Sequence, residues 1–254
     1  MLPKWGSEVH PQQRKSSIKK NVMKELLHKH NLPRKILNSS MPLMLRQFLK
    51  FLYKKEKADQ SYWAGRPEEG ERGATNYIDM DATGRALIDE VEKRAINKEA
   101  GILDLGCNVG RHLNALRERG FHNLYGVDLS KAARKVSKDV FPALNEIAEF
   151  EEGSFEAYLS NSPSKKFDVV YTHGATIEHV NPVFPLVQEI CRVTKHCVVL
   201  GAVYYNGSTY PRFWTYEFEK NGFYLCKLMQ PEKEWAPDSK TNRPCVLAVY
   251  KRCE

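Results

Sequence analysis

Gly101-Ile102-Leu103-Asp104-Leu105-Gly106-Cys107-Asn108-Val109-Gly110 passes from a short apolar run straight into a glycine turn, and helical periodicity begins at the next residue, Arg111. An apolar run of this length bounded by a turn reads as a buried strand, here Gly101–Leu105. Gly106 and Gly110 let the backbone turn sharply and leave no Cβ to keep a ligand away. The helix predicted over Arg111–Arg119 directs its N-terminus at that turn, where unpaired amides favour a negative group such as a carboxylate. A dinucleotide-binding loop would read Gly-x-Gly-x-x-Gly. Here the glycines lie four apart, and Arg111 stands where a dinucleotide loop leaves room. Asp128 closes the next apolar run, about 20 residues further on, where a carboxylate at a strand end can accept both hydroxyls of a ribose.

Outward from this unit, strand and helix patterns alternate. Upstream, Asp79–Lys98 carries Leu87, Ile88, Val91 and Ile96 near helical spacing, behind caps at Asp79 and Asp81. Downstream, the pattern predicts strands over Asn123–Val127, Ala148–Glu152, Phe167–Tyr171 and His196–Val203, with helices over Lys131–Phe141 and Pro185–Thr194. The helix after the glycine turn stops at Gly120, a C-terminal cap. Two closing strands, Phe223–Met229 and Cys245–Lys251, have no long helix between them and predict an antiparallel edge hairpin. Such alternation predicts an α/β fold, a mostly parallel sheet covered on both faces. Ligands of these sheets bind outside the carboxyl ends of the strands, and the glycine turn and Asp128 both fall there.

Ile102 to Gly110 resembles motif I of the class I S-adenosylmethionine-dependent methyltransferases, and Tyr125-Gly126-Val127-Asp128-Leu129-Ser130 resembles their second motif. Phe167 to Val180, which ends in Glu178-His179-Val180, is similar to the fourth motif and its following Glu-His. The resemblance spans Tyr62 to Lys251. It implies a Rossmann-like seven-stranded methyltransferase sheet with helices on both faces, a C-terminal antiparallel edge hairpin, and S-adenosylmethionine as cofactor. It places Asp104, Gly106, Cys107, Asn108 and Gly110 around the methionine part and Asp128 on the ribose. Ser154 and Phe155, after the third strand, fall near the adenine, and Thr172 joins the cofactor contacts from the fourth strand. Two positions depart from the family pattern: Asn108 replaces the commoner middle glycine, and Ser154 stands where many members carry an acid for the adenine amine. Asp104 has a second reading, as a structural acid bonding to loop amides.

The residues after the fourth and fifth strands define the acceptor side. A sulfonium methyl needs alignment, desolvation and, for a hydroxyl acceptor, a base. His179 is the first candidate base, His173 the second, with Glu178 beside them. A Glu-His pair can instead only fix its loop, and alignment alone can suffice. Tyr62, Trp63 and Arg66 lie where related enzymes carry a lid; the aromatics can stack on an acceptor and the guanidinium can grip a carboxylate or phosphate, or the pair can simply pack a helix. Tyr205 and Arg212, in the aromatic stretch running through Tyr204, Tyr210 and Trp214, extend that side. No Asn/Asp-Pro-Pro-Tyr follows the fourth strand and no Cys next to Pro stands where cytosine-5 enzymes have one, which disfavours base methylation. Taken with Arg192–Thr194 and the late Tyr210-Pro211-Arg212, the pattern resembles methyltransferases of bacterial surface-polysaccharide genes. That implies O-methylation of a sugar, glycan or other small metabolite. An RNA methyltransferase is the alternative, and a binding protein that keeps the fold without transfer is the third.

Charge separates the chain into two regions. The 254 residues carry a formal +8, but residues 1–60 hold fourteen Lys/Arg against four Asp/Glu, a net +10, which leaves −2 for the rest. The expected division is a basic, partly helical extension over 1–60 and a methyltransferase domain over 61–254. In the extension, Leu45, Phe48, Leu49 and Leu52 share one helical face while Arg46, Lys50 and Lys54 share another. A basic amphipathic helix over 41–55 packs on the domain or in a homodimer, lies on an anionic membrane surface or meets a lipid-linked substrate, or grips RNA. No run reaches the roughly 18 apolar residues of a membrane span, and no secretory leader is evident, so a cytoplasmic protein is expected, with the inner membrane face as its outer reach. The six cysteines form no Cys-x-x-Cys pair and no metal-ligand spacing, and they read as reduced thiols with no metal site.

Overall fold

β1 (Ile102–Leu105) is buried at all four positions because a parallel neighbour lies on each side of it. β2 (Leu124–Asp128) pairs along one edge and β4 (Phe167–His173) along the other, with Asp104 opposite both Gly126 and Tyr171. The computed structural model describes residues 60–70, 73–174, 176–203, 210, 212–229 and 245–254. Within them, seven strands form one sheet in the order β3-β2-β1-β4-β5-β7-β6. β3 (Glu149–Glu152) and β5 (Thr194–Val203) continue the parallel part. β7 (Cys245–Arg252) then enters antiparallel between β5 and β6 (Phe223–Met229), the expected edge hairpin. Strand order reverses between β1 and β4, which opens a crevice at their carboxyl ends.

The helices are α1 (Gln60–Ala64), α2 (Ala82–Arg94), α3 (Arg111–Glu118), α4 (Lys131–Val140), α5 (Pro142–Ile147), α6 (Phe155–Asn161), α7 (Leu186–Val193) and α8 (Trp214–Lys220). Successive strand residues point to opposite faces. Ile102, Val169, Tyr171, Cys197 and Val199 pack with Leu87, Ile88 and Val91 of α2 and with Leu113 and Leu116 of α3. Leu103, Leu105, Val170, Val198 and Leu200 pack on the other face with Leu186, Val187 and Ile190 of α7 and Phe218 of α8. Each such side chain contributes about 1.5–3 kcal/mol by leaving water. Asp104 shares the α2/α3 face with Ile102, a carboxyl among hydrocarbons.

Local chemistry sets the ends. The Asp81 carboxylate accepts from Gly84 N at 2.6 Å and caps α2, so Asp81 rather than Asp79 starts that helix, which is shorter than the Asp79–Lys98 pattern. Ser130 caps α4 through Ala133 N, and Gly120 follows α3 with φ +87°. α5, α6 and α8 are absent from the sequence-based reading because six or seven residues carry too little period to register. The β3 edge is guarded by Glu149, Glu151 and Glu152. The expected basic extension and its 41–55 helix lie outside the described residues, among which no helix is long and apolar enough to cross a membrane.

Candidate cofactor and acceptor site

The glycine turn after β1 holds itself. Gly106 N and Cys107 N both donate to Val127 O, at 2.9 and 3.2 Å, and Gly110 N donates to Cys107 O at 2.8 Å. Val109 N donates to Asn108 Oδ1 at 2.8 Å, and Asn108 N to Asp128 Oδ2 at 2.9 Å. Asn108 thus sits at φ +48°, where a side-chain amide that bonds locally offsets the left-handed backbone a glycine would otherwise take. The other Asp128 oxygen accepts from Ser130 N at 2.9 Å. Each oxygen keeps a second lone pair, so the carboxylate that orients the loop can also accept from a diol. Burial raises the Asp128 carboxyl, and the Ser130 and Asn108 amides and the Arg66 charge hold it down. A Cβ on Gly106, where φ is +83°, would run into Thr176 Cγ2, so the β4 loop closes directly over this glycine.

Beneath the loop the polar groups are less satisfied. Asp104 is 1% exposed, and its Oδ2 has no hydrogen-bond partner. Burial pushes this carboxyl up to about 8; the Tyr171 hydroxyl beside it pulls the other way, Asp128 adds to the rise, and Arg111 opposes it. The Tyr171 hydroxyl and His112 Nε2 are likewise buried without partners. His112 meets the His173 ring edge-on, centroids 5.0 Å apart. Two glycines make room for this pair: a Cβ on Gly84 would lie 2.7 Å from His112 Nε2, and one on Gly201 would lie 3.0 Å from His173 Cδ2. Burial lowers His173 to about 4, with Asp81 opposing and Arg111 assisting, so the ring is neutral at physiological pH.

The segment before α2 supplies the upper wall. Trp63 lies against His179 with ring centroids 5.2 Å apart, and the Arg66 guanidinium sits over Trp63 at 5.0 Å and over Tyr77 at 5.4 Å. Arg66 Nη2 donates to the Tyr77 hydroxyl at 3.3 Å. Glu68 pairs with Lys135 of α4, fastening this segment beside Asp128. Glu178 is buried, and its carboxylate accepts from Thr176 N at 2.8 Å. Its carbonyl accepts from Tyr210 N, also at 2.8 Å.

Several expected site residues are therefore placed together, and others are engaged elsewhere. Asp104, Gly106, Asn108, Gly110 and Asp128 line the crevice at the β1 and β2 ends, Phe155 approaches Gly106, and Trp63, Arg66 and His179 form one contact set. Cys107 turns its buried thiol toward Gly126. The Thr172 hydroxyl donates to Leu105 O at 2.8 Å and ties β4 to β1. Ser154 accepts from Ala157 N and caps α6. Arg212 donates to Val180 O at 3.0 Å and pairs with Glu217 at 3.3 Å, bracing the Glu-His turn. Tyr62 is exposed, with its ring edge on Trp63; Tyr205 lies outside the described residues. Tyr171, His112 and Tyr77 went unforeseen. Period-two alternation with Asp104's strand neighbour could have found Tyr171, whereas nothing local singles out the other two.

Comparisons with known proteins point the same way. Residues 103–200 match the family model of a methyltransferase domain. No curated protein matches the chain by direct comparison. Among solved structures, a TehB-like S-adenosylmethionine-dependent methyltransferase from Corynebacterium glutamicum is similar at 20% identity and TM-score 0.51, covering 70% of this chain and 91% of that one. Magnesium protoporphyrin IX methyltransferase from Synechocystis, solved with bound S-adenosylhomocysteine, aligns at 13% identity and TM-score 0.51 over 92% of this chain and 99% of its own. A [4+2]-cyclase, SpnF, aligns at 14% identity and TM-score 0.54 over 74% and 87%, so likeness at this level speaks for the fold. The donor set fits the cofactor of this family: a diol acceptor at Asp128, an unpartnered buried carboxyl at Asp104, and a glycine over which no Cβ could stand. Residues 103–200, which hold the motif-bearing strands, are thus a methyltransferase domain, and the chain is similar in fold to S-adenosylmethionine-dependent methyltransferases.

Proposed function

We propose that this enzyme O-methylates a sugar, a glycan or another small hydroxylated metabolite. The observation that carries the reading is the contact between Trp63 and His179, with the Arg66 guanidinium 5.0 Å from the same indole. It sets an imidazole, an aromatic face and a cation at one side of the crevice, the set that would hold a ring-shaped acceptor and take a proton from its hydroxyl. S-adenosylmethionine, when bound, supplies a methyl group on a sulfonium. Asp128 accepts the ribose hydroxyls, and the glycine turn lets the ligand approach. His179 Nδ1 or Nε2 takes the acceptor's proton, Trp63 stacks on its ring, and Arg66 engages a carboxylate or phosphate on it. Glu178 and Arg212 keep the His179 turn in place through Thr176 and Val180. In this reading the enzyme is cytoplasmic, and the basic 41–55 segment holds it near lipid-linked acceptors at the inner membrane face.

The test is transfer of labelled methyl from S-adenosylmethionine into fractions of a host extract. Alkali-stable label in a glycan, lipid-linked or small-metabolite fraction is expected. Label confined to RNA would replace this acceptor class with the nucleic-acid one and reassign the basic extension to phosphate contact.

A further inference from the structure

Tyr77 stands where the cofactor side and the acceptor side of the crevice meet. The segment that carries Trp63 and Arg66 bonds to itself: Gly65 N donates to Ser61 O at 2.9 Å, Ala74 N to Pro67 O at 3.0 Å and Thr75 N to Glu68 O at 2.9 Å. It closes in one 3-10 turn, Ala74–Tyr77. Ala74 is buried there with Val109 of the glycine turn and with Ala133 and Val136 of α4, and Tyr77 and Ile78 pack against that cluster. The foot of the segment therefore rests on the loop that meets the cofactor. Glu68 adds an exposed anchor, its carboxylate 2.8 Å from Lys135 Nζ on the helix that follows Asp128.

The same ring also meets the acceptor wall. Arg66 Nη2 donates to the Tyr77 hydroxyl at 3.3 Å, and the Arg66 guanidinium lies 5.4 Å from the Tyr77 ring and 5.0 Å from the Trp63 ring. Trp63 in turn rests on His179. Arg111, first residue of the helix after the glycine turn, brings a second guanidinium to 6.0 Å from Tyr77 while its Nη1 donates to Asp79 O. One side chain thus touches the glycine-turn cluster, the Arg that opens α3, and the Arg that leads to Trp63 and His179.

We propose that Tyr77 is a positioning residue, which holds the acceptor wall of Arg66, Trp63 and His179 in register with the glycine turn that places the cofactor. That role rests on the acceptor reading above, since Trp63 and His179 are its acceptor-side groups. Transfer requires the methyl carbon and the acceptor oxygen in line, and a slip of about 1 Å can cost roughly 100-fold in rate. A wall that shifts against the turn therefore loses rate before the enzyme loses cofactor affinity. Leucine in place of Tyr77 would still fill an apolar site, but it has no aromatic face for the guanidinium and no oxygen for Nη2.

The experiment compares full-length wild type, Tyr77→Leu and Tyr77→Phe. S-adenosylhomocysteine affinity is measured by calorimetry, and methyl transfer from labelled S-adenosylmethionine into a host extract is measured at saturating donor. Acrylamide quenching reports the shielding of Trp63, isolated by subtracting the signal of Trp63→Phe. Tyr77→Leu should lower transfer about 10- to 100-fold with S-adenosylhomocysteine affinity within about threefold, and should raise the Trp63 quenching constant about twofold or more. Tyr77→Phe keeps the ring and should transfer within about threefold of wild type. Wild-type transfer or wild-type Trp63 quenching in Tyr77→Leu overturns the positioning role. A loss of transfer matched by an equal loss of S-adenosylhomocysteine affinity overturns it too, because that marks general damage to the fold. Should Tyr77→Leu not fold, Tyr77→Met, also without ring or hydroxyl, decides by the same measures. If the wild type binds S-adenosylhomocysteine but labels no fraction, the acceptor reading falls, and Trp63 shielding alone decides for Tyr77.

Discussion

Replacing the ionisable carboxyl of Asp104 by an amide should make the protein more stable in the absence of cofactor, and by an amount that depends on pH. In the folded chain the carboxyl keeps its proton up to about 8, whereas the ordinary value is 3.8. Below pH 4 both states are protonated and the residue is neutral to stability. As pH rises from there, the unfolded chain gives up a proton that the folded chain retains, and stability falls by roughly 1.4 kcal/mol per pH unit. Above about pH 8 the loss stays constant. Asp104→Asn cannot ionise in either state, so its advantage should be absent at pH 4 and grow to about 4 kcal/mol at pH 7. For a fold of this size that is roughly 10 °C in Tm, at 2–4 °C per kcal/mol. The Tyr171 hydroxyl can accept from the new amide, which limits the cost of its second donor. Thermal unfolding of ligand-free wild type and variant at pH 4, 5.5 and 7 provides the measurement. A difference that does not change with pH, or a variant less stable at pH 7, would show that Asp104 is already ionised in the folded chain.

Three further substitutions separate holding from chemistry. Gly106→Ala places a Cβ against Thr176 at a positive φ and should cost about 2–4 kcal/mol, while weakening S-adenosylhomocysteine binding more than tenfold; calorimetry and melting curves check both, and near-native binding would refute the close approach. Arg212→Ala strips the Val180 carbonyl and Glu217 of a buried partner and should destabilise by about 3 kcal/mol in urea titration, a loss that a substrate-gripping Arg would not produce. His179→Ala should lower methyl transfer at least 100-fold with S-adenosylhomocysteine affinity within about threefold, and full turnover at neutral pH would remove His179 as the base.

The range of each signal explains how much the sequence revealed. The sheet was legible because a glycine turn, an acid at a strand end and two periodicities are read within a few residues of one another. Gly106, Asn108 and Asp128 share that locality: the 108–128 hydrogen bond joins the ends of adjacent parallel strands, a spacing the strand–helix–strand unit imposes. Short helices were lost because one or two turns leave no period to detect. The harder losses concern what a side chain meets across the sheet. Thr172 and Ser154 carry the right chemistry for ligand contact, yet one hydroxyl goes to Leu105 O and the other to a helix cap, choices made by backbone groups no pattern displays.

The Asp104 environment shows the same limit from the other side. Its acidity is decided first by burial and then by Tyr171, Asp128 and Arg111, drawn from three elements, and the His112 and His173 rings beside Tyr171 have their space because Gly84 and Gly201 carry no Cβ. Neither glycine stands at a turn: one lies in α2 and the other in β5, and each would otherwise weaken its element by about 1 kcal/mol relative to Ala. A glycine in the first turn of a helix and another inside a strand, both aimed at one pair of histidines beside the crevice, indicate that the packing there is arranged around polar rings. The face of the sheet that holds the α2/α3 core is thus also the face that tunes the site. A substitution at either glycine should then be felt first at the His112–His173 pair.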